Sequence, residues 1–368
     1  MLLRTFSFPL TVTVVGLVLA GLIGGPKIAL IVAILAVLEI SLSFDNAVVN
    51  ATILRRMNRW WQGLFLTLGI LIAVFGMRLI FPVVVVSLTA HLSPAEVFRL
   101  AIDHPHTYAD KLTAAHPAIA AFGGIFLLMI FLDYMLDTEK DIHWLTPVEK
   151  FLSKIGGLDV LSTVISLVAL LVVAEAATPA DKTQQVLAAG VAGLATYLAV
   201  RGLGDFFEEQ GVGEEDDEDE EISEDTHDAS GKRLAVGRAA FFLFLYLELI
   251  DASFSFDGVV GAFAISQQIF VIAAGLGIGA CYIRSLTVFL VRKGTLQEYI
   301  YLEHGAHWAI GALAVLLAVS IKVDVPEVVT GLIGVGFILA AYASSLIARG
   351  KRREEEPADE PVGVSARD

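Results

Sequence analysis

Two segments of the chain set acids into apolar sequence with nearly the same spelling. Glu39, Asp45 and Asn46 punctuate the first, Glu39-Ile40-Ser41-Leu42-Ser43-Phe44-Asp45-Asn46-Ala47. Glu248, Asp251 and Asp257 punctuate the second, Glu248-Leu249-Ile250-Asp251-Ala252-Ser253-Phe254-Ser255-Phe256-Asp257-Gly258. Superposing Ser43-Phe44-Asp45 on Ser255-Phe256-Asp257 pairs Glu39 with Asp251, so each copy holds two carboxylates six residues apart. Carboxylates and amide carbonyls are the donors that hard divalent cations prefer. Ser41, Ser43, Ser253 and Ser255 add hydroxyls, and no cluster of Cys or His in the apolar stretches offers a soft or tetrahedral metal site. An ionised carboxylate inside a bilayer costs at least ~2.5–3.5 kcal/mol, so acids kept there call for a function. The six expected cation ligands are Glu39, Asp45, Asn46, Glu248, Asp251 and Asp257.

Helix geometry limits how those acids combine. Six residues of continuous helix are about 9 Å of rise and about 240° of rotation, so Glu39 and Asp45 do not reach one ion unless the helix breaks between them. If two copies run antiparallel, the levels interchange and Glu39 lies level with Asp257, Asp45 with Asp251. The expectation is cross-copy pairing around one cavity, with helix irregularities near Ser43–Asn46 and Ser255–Gly258 that free backbone carbonyls.

The elements that must hold these residues are legible in the hydropathy. The chain is 56% hydrophobic, with a mean hydropathy of +0.73, beyond ordinary soluble usage. Apolar spans of bilayer length are read at 9–25, 28–51, 61–88, 117–136, 159–177, 184–203, 239–263, 269–291, 306–323 and 328–347. This is an all-α polytopic membrane protein of about ten transmembrane helices. The acidic motifs fall five crossings apart and so enter from opposite sides, the inverted-repeat signature of secondary transporters. A second echo, Gly69 before Arg78 and Gly275 before Arg284, extends the likeness. Arg78 and Arg284 are expected charge partners of the acids, either permanent or exchanging with an ion.

The expected organisation is a first helix in 1–27, a three-helix repeat in 28–136 and connecting helices in 137–204. An acidic loop (205–237), a second repeat (238–323), a last helix (324–348) and a polar tail (349–368) follow. The net charge of −15 is local: fourteen acids lie between Asp205 and Asp228, leaving 26 acids against 25 bases elsewhere. That loop and tail read as solvated segments without a packed core, the loop also being a place for a cytoplasmic partner. Net charge supplies no case for nucleic acid. Lysines and arginines concentrate in loops 52–60, 137–158, 205–238 and 292–305 and at both ends, against Lys27, Arg99, Lys111, Lys182 and Lys322 on the other side. Both termini are therefore expected in the cytoplasm, with the protein in the cell (inner) membrane. The segment 91–116, with His91, His104, His106 and His116, reads as a polar outer loop capped by proline, a weak transition-metal site being the alternative. The single Cys281 excludes an intramolecular disulfide.

The twin signatures, Glu39-x5-Asp45-Asn46-Ala47 and Glu248-x2-Asp251-x5-Asp257, resemble those of TerC-type integral membrane proteins of the LysE-like transporter superfamily. The likeness extends to the glycine-rich helix ending in Arg78, to Gly123-Gly124-Ile125-Phe126-Leu127 and to Arg284, over about 28–136 and 239–345. Gly258, Val259-Val260 and the long acidic connector depart from the pattern and mark a divergent branch. The resemblance implies a two-repeat helical fold and export of Mn2+ or a related divalent cation, with ion contacts on the six ligands above. Some relatives carry the label of tellurium resistance.

Together these point to a secondary transporter that exports a divalent cation by alternating exposure of a midplane carboxylate site. The cation would be a transported ligand, with no prosthetic group and no enzymatic reaction. The alternative is a membrane scaffold in metal or tellurite stress, its buried acids serving stability.

Overall fold

The computed structural model describes residues 2–158, 160–209, 234–266, 268–294 and 299–355. Most of the acidic loop and the end of the tail lie outside these residues, as does the Asp257 side chain. Among the described residues every regular element is a helix, as expected, with a lone bridge between Met57 and Ala235. Among the described residues, seven helices are long and apolar enough to cross a membrane by length and composition, and Leu161–Ala176 is shorter.

The first element, α1 (Leu2–Leu42), is two helices joined at Gly25, whose φ of 79° suits a residue without Cβ. Packing against α11 (Ile269–Arg292) gives the legs opposite directions. Phe6 sits on Phe289 and Tyr282, and Gly16 near Ile278, whereas Leu35 meets Gly275 and Glu39 meets Gly279. Register falls along one leg and rises along the other, so α1 is a hairpin. The expected division between spans 9–25 and 28–51 is this turn.

The second leg stops at Ser43 (φ −97°, ψ 16°), and α2 (Phe44–Leu54) continues from it. Asn58 then caps α3 (Arg59–Leu71) by accepting from the Trp61 amide. A π-helical segment, Ile72–Ile80, leads into α4 (Phe81–Ala90). Its cause is Pro82, which has no N–H for the Arg78 carbonyl and would crowd it in a regular helix.

The expected outer loop at 91–116 is mostly helix instead. Ser93 and Glu96 form a capping box that starts α5 (Pro94–Asp103), and Pro105 opens α6 (Pro105–Leu136). His106 and His116 therefore ride on α6. The amphipathic α7 (Thr146–Ile155), α8 (Leu161–Ala176) and α9 (Thr183–Glu209) follow. α10 (Gly237–Ile265), α11, α12 (Leu302–Ser320) and α13 (Glu327–Glu355) complete the fold.

Contacts gather several loops at one end of the bundle. Ala235 exchanges backbone hydrogen bonds with Arg56 and Asn58. Arg55 pairs with Glu303, and Ser344 and Ser345 bond Trp144 and the Tyr301 amide. The core packs Phe65, Phe126, Leu127, Leu247 and Ile310 around the α6–α10–α12 junction.

Candidate functional site

The motif segments run antiparallel past one another. A Cβ built on Gly258 of α10 would lie 3.4 Å from Glu39 Oε2. Farther along, Asn50 Nδ2 donates to Asp251 Oδ1 at 3.3 Å. The order 39 to 50 on one side thus opposes 258 to 251 on the other.

Each motif helix meets an arginine from the helix that follows it. Arg78 Nη2 donates to Glu39 Oε1, and its Nη1 donates at 2.6 Å to the Ala73 carbonyl within the π segment. Ser43 Oγ adds a hydrogen bond to Glu39 at 3.2 Å. In the second motif Arg284 is bidentate to Glu248, at 2.7 and 2.8 Å, and its Nη2 also reaches Asp251 at 3.0 Å. Phe65 lies under the guanidinium, 4.2 Å from ring centre to Cζ, so one face of Arg284 rests on a π surface. Both arginines are essentially inaccessible, and Glu39, Asp45, Asn46, Glu248 and Asp251 are all buried. Glu39 and Asp251, equivalent in the motif alignment, are each bound by an arginine.

Glycines permit this approach. A methyl on Gly69 would overlap Arg284 Nη1 and stand 3.0 Å from Glu248 Oε1. One on Gly279 would stand 2.5 Å from Glu39 Cβ and Cγ. Such distances exclude a side chain without displacement of a neighbour.

Three expectations change. Asp251 takes Asn50 and Arg284 as partners, whereas Asp45 turns toward α13, where a Cβ on Gly334 would overlap its Oδ2. The physical reason is the break at Ser43: beyond it the angular phase of the first leg no longer fixes where α2 side chains point. Asp45 Oδ1 accepts the Asn46 amide at 3.0 Å in the first turn of α2, where the helix dipole favours an anion. Second, the irregularity expected at Ser255–Gly258 is missing, because α10 is helical straight through those positions. Third, two of the four serines spend their hydroxyls on their own helices, Ser41 on Val37 O and Ser253 on Leu249 O. Glu39 does lie beside α10 at the expected level, next to Gly258; the Asp257 side chain, and with it the expected pairing, falls outside the described residues. Among the described residues, no three His, Cys, Asp or Glu side chains gather as a preformed metal cluster.

Sequence reasoning missed Asn50, Phe65 and Gly334. Asn50 stands one helical turn beyond Asn46, so a second amide on that face was a usable signal. Nothing local marks Phe65 or Gly334, which acquire their roles from other helices. A cavity of about 210 Å³, lined mainly by apolar groups including Met77, Phe122, Leu245 and Leu317, opens on Glu248 and Ser253.

Apolar helices of spanning length around buried acids, three of them held by arginines, define an integral membrane protein with an ionisable centre among its helices. The chain belongs to the family described as "Protein of unknown function (DUF475)", which it matches over residues 44–353. It is also 35% identical over 103 residues to the uncharacterized membrane protein YceF of Bacillus subtilis. That match covers 27% of this chain and 37% of the relative, so the chain spans little more than a third of the curated relative's length. No solved structure matches the chain.

Proposed function

We propose that the protein is a secondary transporter that exports a divalent cation, Mn2+ first, through the buried carboxylates of α1, α2 and α10. The observation that carries this reading is a charge excess. Among the described residues of the motifs, four buried carboxylates stand against two buried guanidiniums: Arg78 holds Glu39, Arg284 holds Glu248 and Asp251, and Asp45 is turned toward Gly334. Two acids are left over, and a low-dielectric site does not keep uncompensated charge. A divalent cation, or protons in its place, restores neutrality.

The donor chemistry agrees. Asn50 Oδ1 is fully buried beside Asp251 without a hydrogen-bond partner, and a buried amide oxygen in that condition is a ready ligand for a hard cation. Together with Glu39, Asp45, Asn46, Glu248, Asp251 and Asp257 it forms an all-oxygen set. The likeness of the twin motifs to TerC-type proteins favours Mn2+ within the hard-cation class.

The arginines then act as internal competitors. A cation drawn to Glu248 and Asp251 must displace Arg284 from at least one of them, and one drawn to Glu39 must displace Arg78. Ion entry and guanidinium movement exclude each other at the same oxygens, which couples occupancy to a shift between α10 and α11 or between the second leg of α1 and the π segment. The π segment next to Arg78 suits such movement, since its widened turn can pass back to α-helix. Cytoplasmic placement of the end that gathers the 55–58 and 299–303 turns, in the cell membrane, follows from its Lys and Arg content.

The test is Mn2+ flux into vesicles containing wild type, Asp45→Asn or Asp257→Asn. Flux falling at least tenfold in both variants is expected. Folded variants that match wild type, with no metal-dependent flux, would instead support a scaffold in metal or tellurite stress.

A further inference from the structure

We infer that α7 is an interfacial helix that binds anionic phospholipid, with Lys150 and Lys154 on the headgroups and Val148, Phe151 and Ile155 in the acyl boundary. This surface is separate from the acid–arginine centre, and the inference does not depend on transport.

The first observation is how α7 is held. It joins α6 to α8 and lies across the ends of α6 and α12. Ser153 Oγ donates to the Asp137 carbonyl at 2.9 Å, and Gly156 packs so tightly on the Leu136 carbonyl that any side chain there would collide. Glu149, with no exposed surface, accepts from His304 Nδ1 at 2.8 Å and from Trp308 Nε1 at 2.9 Å on α12. It also accepts from the Trp144 and Leu145 amides, at 3.0 and 3.3 Å, closing the start of its own helix. Because α6 and α12 are membrane-spanning, a helix strapped across their ends lies at the membrane surface.

The second observation is what α7 leaves uncovered. Val148, Phe151 and Ile155 form a stripe at i, i+3 and i+7, exposed by 45%, 62% and 39%. Helical geometry sets this stripe about 120° from the Glu149–Ser153–Gly156 face that grips the protein and about 120° from Lys150 and Lys154 on the other side. Both lysines are exposed, and no ion pair among the described residues engages them. Among the described residues, the exposed acids of this connection, Asp137, Glu139 and Asp141, precede the helix. An apolar stripe with flanking cations, in the plane of the bilayer surface, is complementary to an anionic headgroup layer over hydrocarbon.

The full chain carrying Cys281→Ser and Phe151→Cys, spin-labelled and placed in nanodiscs of phosphatidylcholine and phosphatidylglycerol, tests the placement. The label should be reached by oxygen and lie about 5–10 Å below the phosphates. Full access to a water-soluble nickel complex would overturn the inference, and so would dipolar broadening between labels, which would mean that a second copy covers the stripe. Native mass spectrometry tests the headgroup assignment. The preference for phosphatidylglycerol should drop roughly fivefold per lysine in Lys150→Gln/Lys154→Gln, and persist in Lys150→Arg/Lys154→Arg. An unchanged preference in the glutamine pair would overturn it.

Discussion

Arg284 holds Glu248 through both terminal guanidinium nitrogens, at 2.7 and 2.8 Å, in a pocket that excludes water from the arginine. The planar fork matches a carboxylate in a way an ammonium does not. Removing the guanidinium leaves Glu248 buried without those two donors and Asp251 with Asn50 as its remaining donor. Arg284→Gln should therefore lower stability by about 3–5 kcal/mol, read by thermal unfolding in detergent. Arg284→Gln combined with Glu248→Gln should recover part of that loss, since the double variant buries one charge fewer.

Steric relief at Gly69 is a separate requirement. Gly69→Ala should displace Arg284 and cost about 1–3 kcal/mol, with flux reduced alongside. Gly63→Ala, on the same helix with nothing within 4 Å of the added methyl, is the control and should be neutral or slightly stabilising.

Asn50 carries a prediction about affinity more than folding. Asn50→Ala removes the amide that holds Asp251 at 3.3 Å together with its unpartnered oxygen. The expected effect is a roughly 10–100-fold weaker apparent affinity for Mn2+, measured by the concentration dependence of vesicle flux. Equal affinity in a folded variant would remove Asn50 from the ligand set.

The α7 clamp has a defined pH window. Burial alone would push Glu149 up, but hydrogen bonds from His304, Trp308 and the Leu145 amide hold it at about 2, below its ordinary 4.5. A depressed carboxylate contributes stability that is fully present above its unfolded value and lost as pH falls through its folded one. The clamp should thus be unchanged between pH 7 and about 5 and weaken from about 4.5 toward 2. Pepsin, active in that range, should cut near α7 increasingly as pH falls. Glu149→Gln should flatten that dependence.

Much of the fold could be read from local patterns. A bilayer demands long uninterrupted apolar runs, so hydropathy located the long apolar helices, and the gap between the first two expected spans falls at the Gly25 turn. The arginines were legible as partners because a buried guanidinium has few alternatives to a buried acid. The segment at 91–116 is helical where a loop is expected, because the Ser93–Glu96 capping box and Pro105, ordinary helix-start signals, outweigh its polar, histidine-rich composition.

By itself, then, the sequence determined that acids and arginines would be enclosed by membrane helices, and that two similar acidic segments would meet. Tertiary structure alone decided who meets whom. A break at Ser43 resets the direction of the side chains on α2, so that Asp45 faces Gly334 while Asn50 reaches Asp251. Contacts of that kind depend on how closely two helices approach, which is set at glycines such as Gly69, Gly279 and Gly334 by the packing of distant residues.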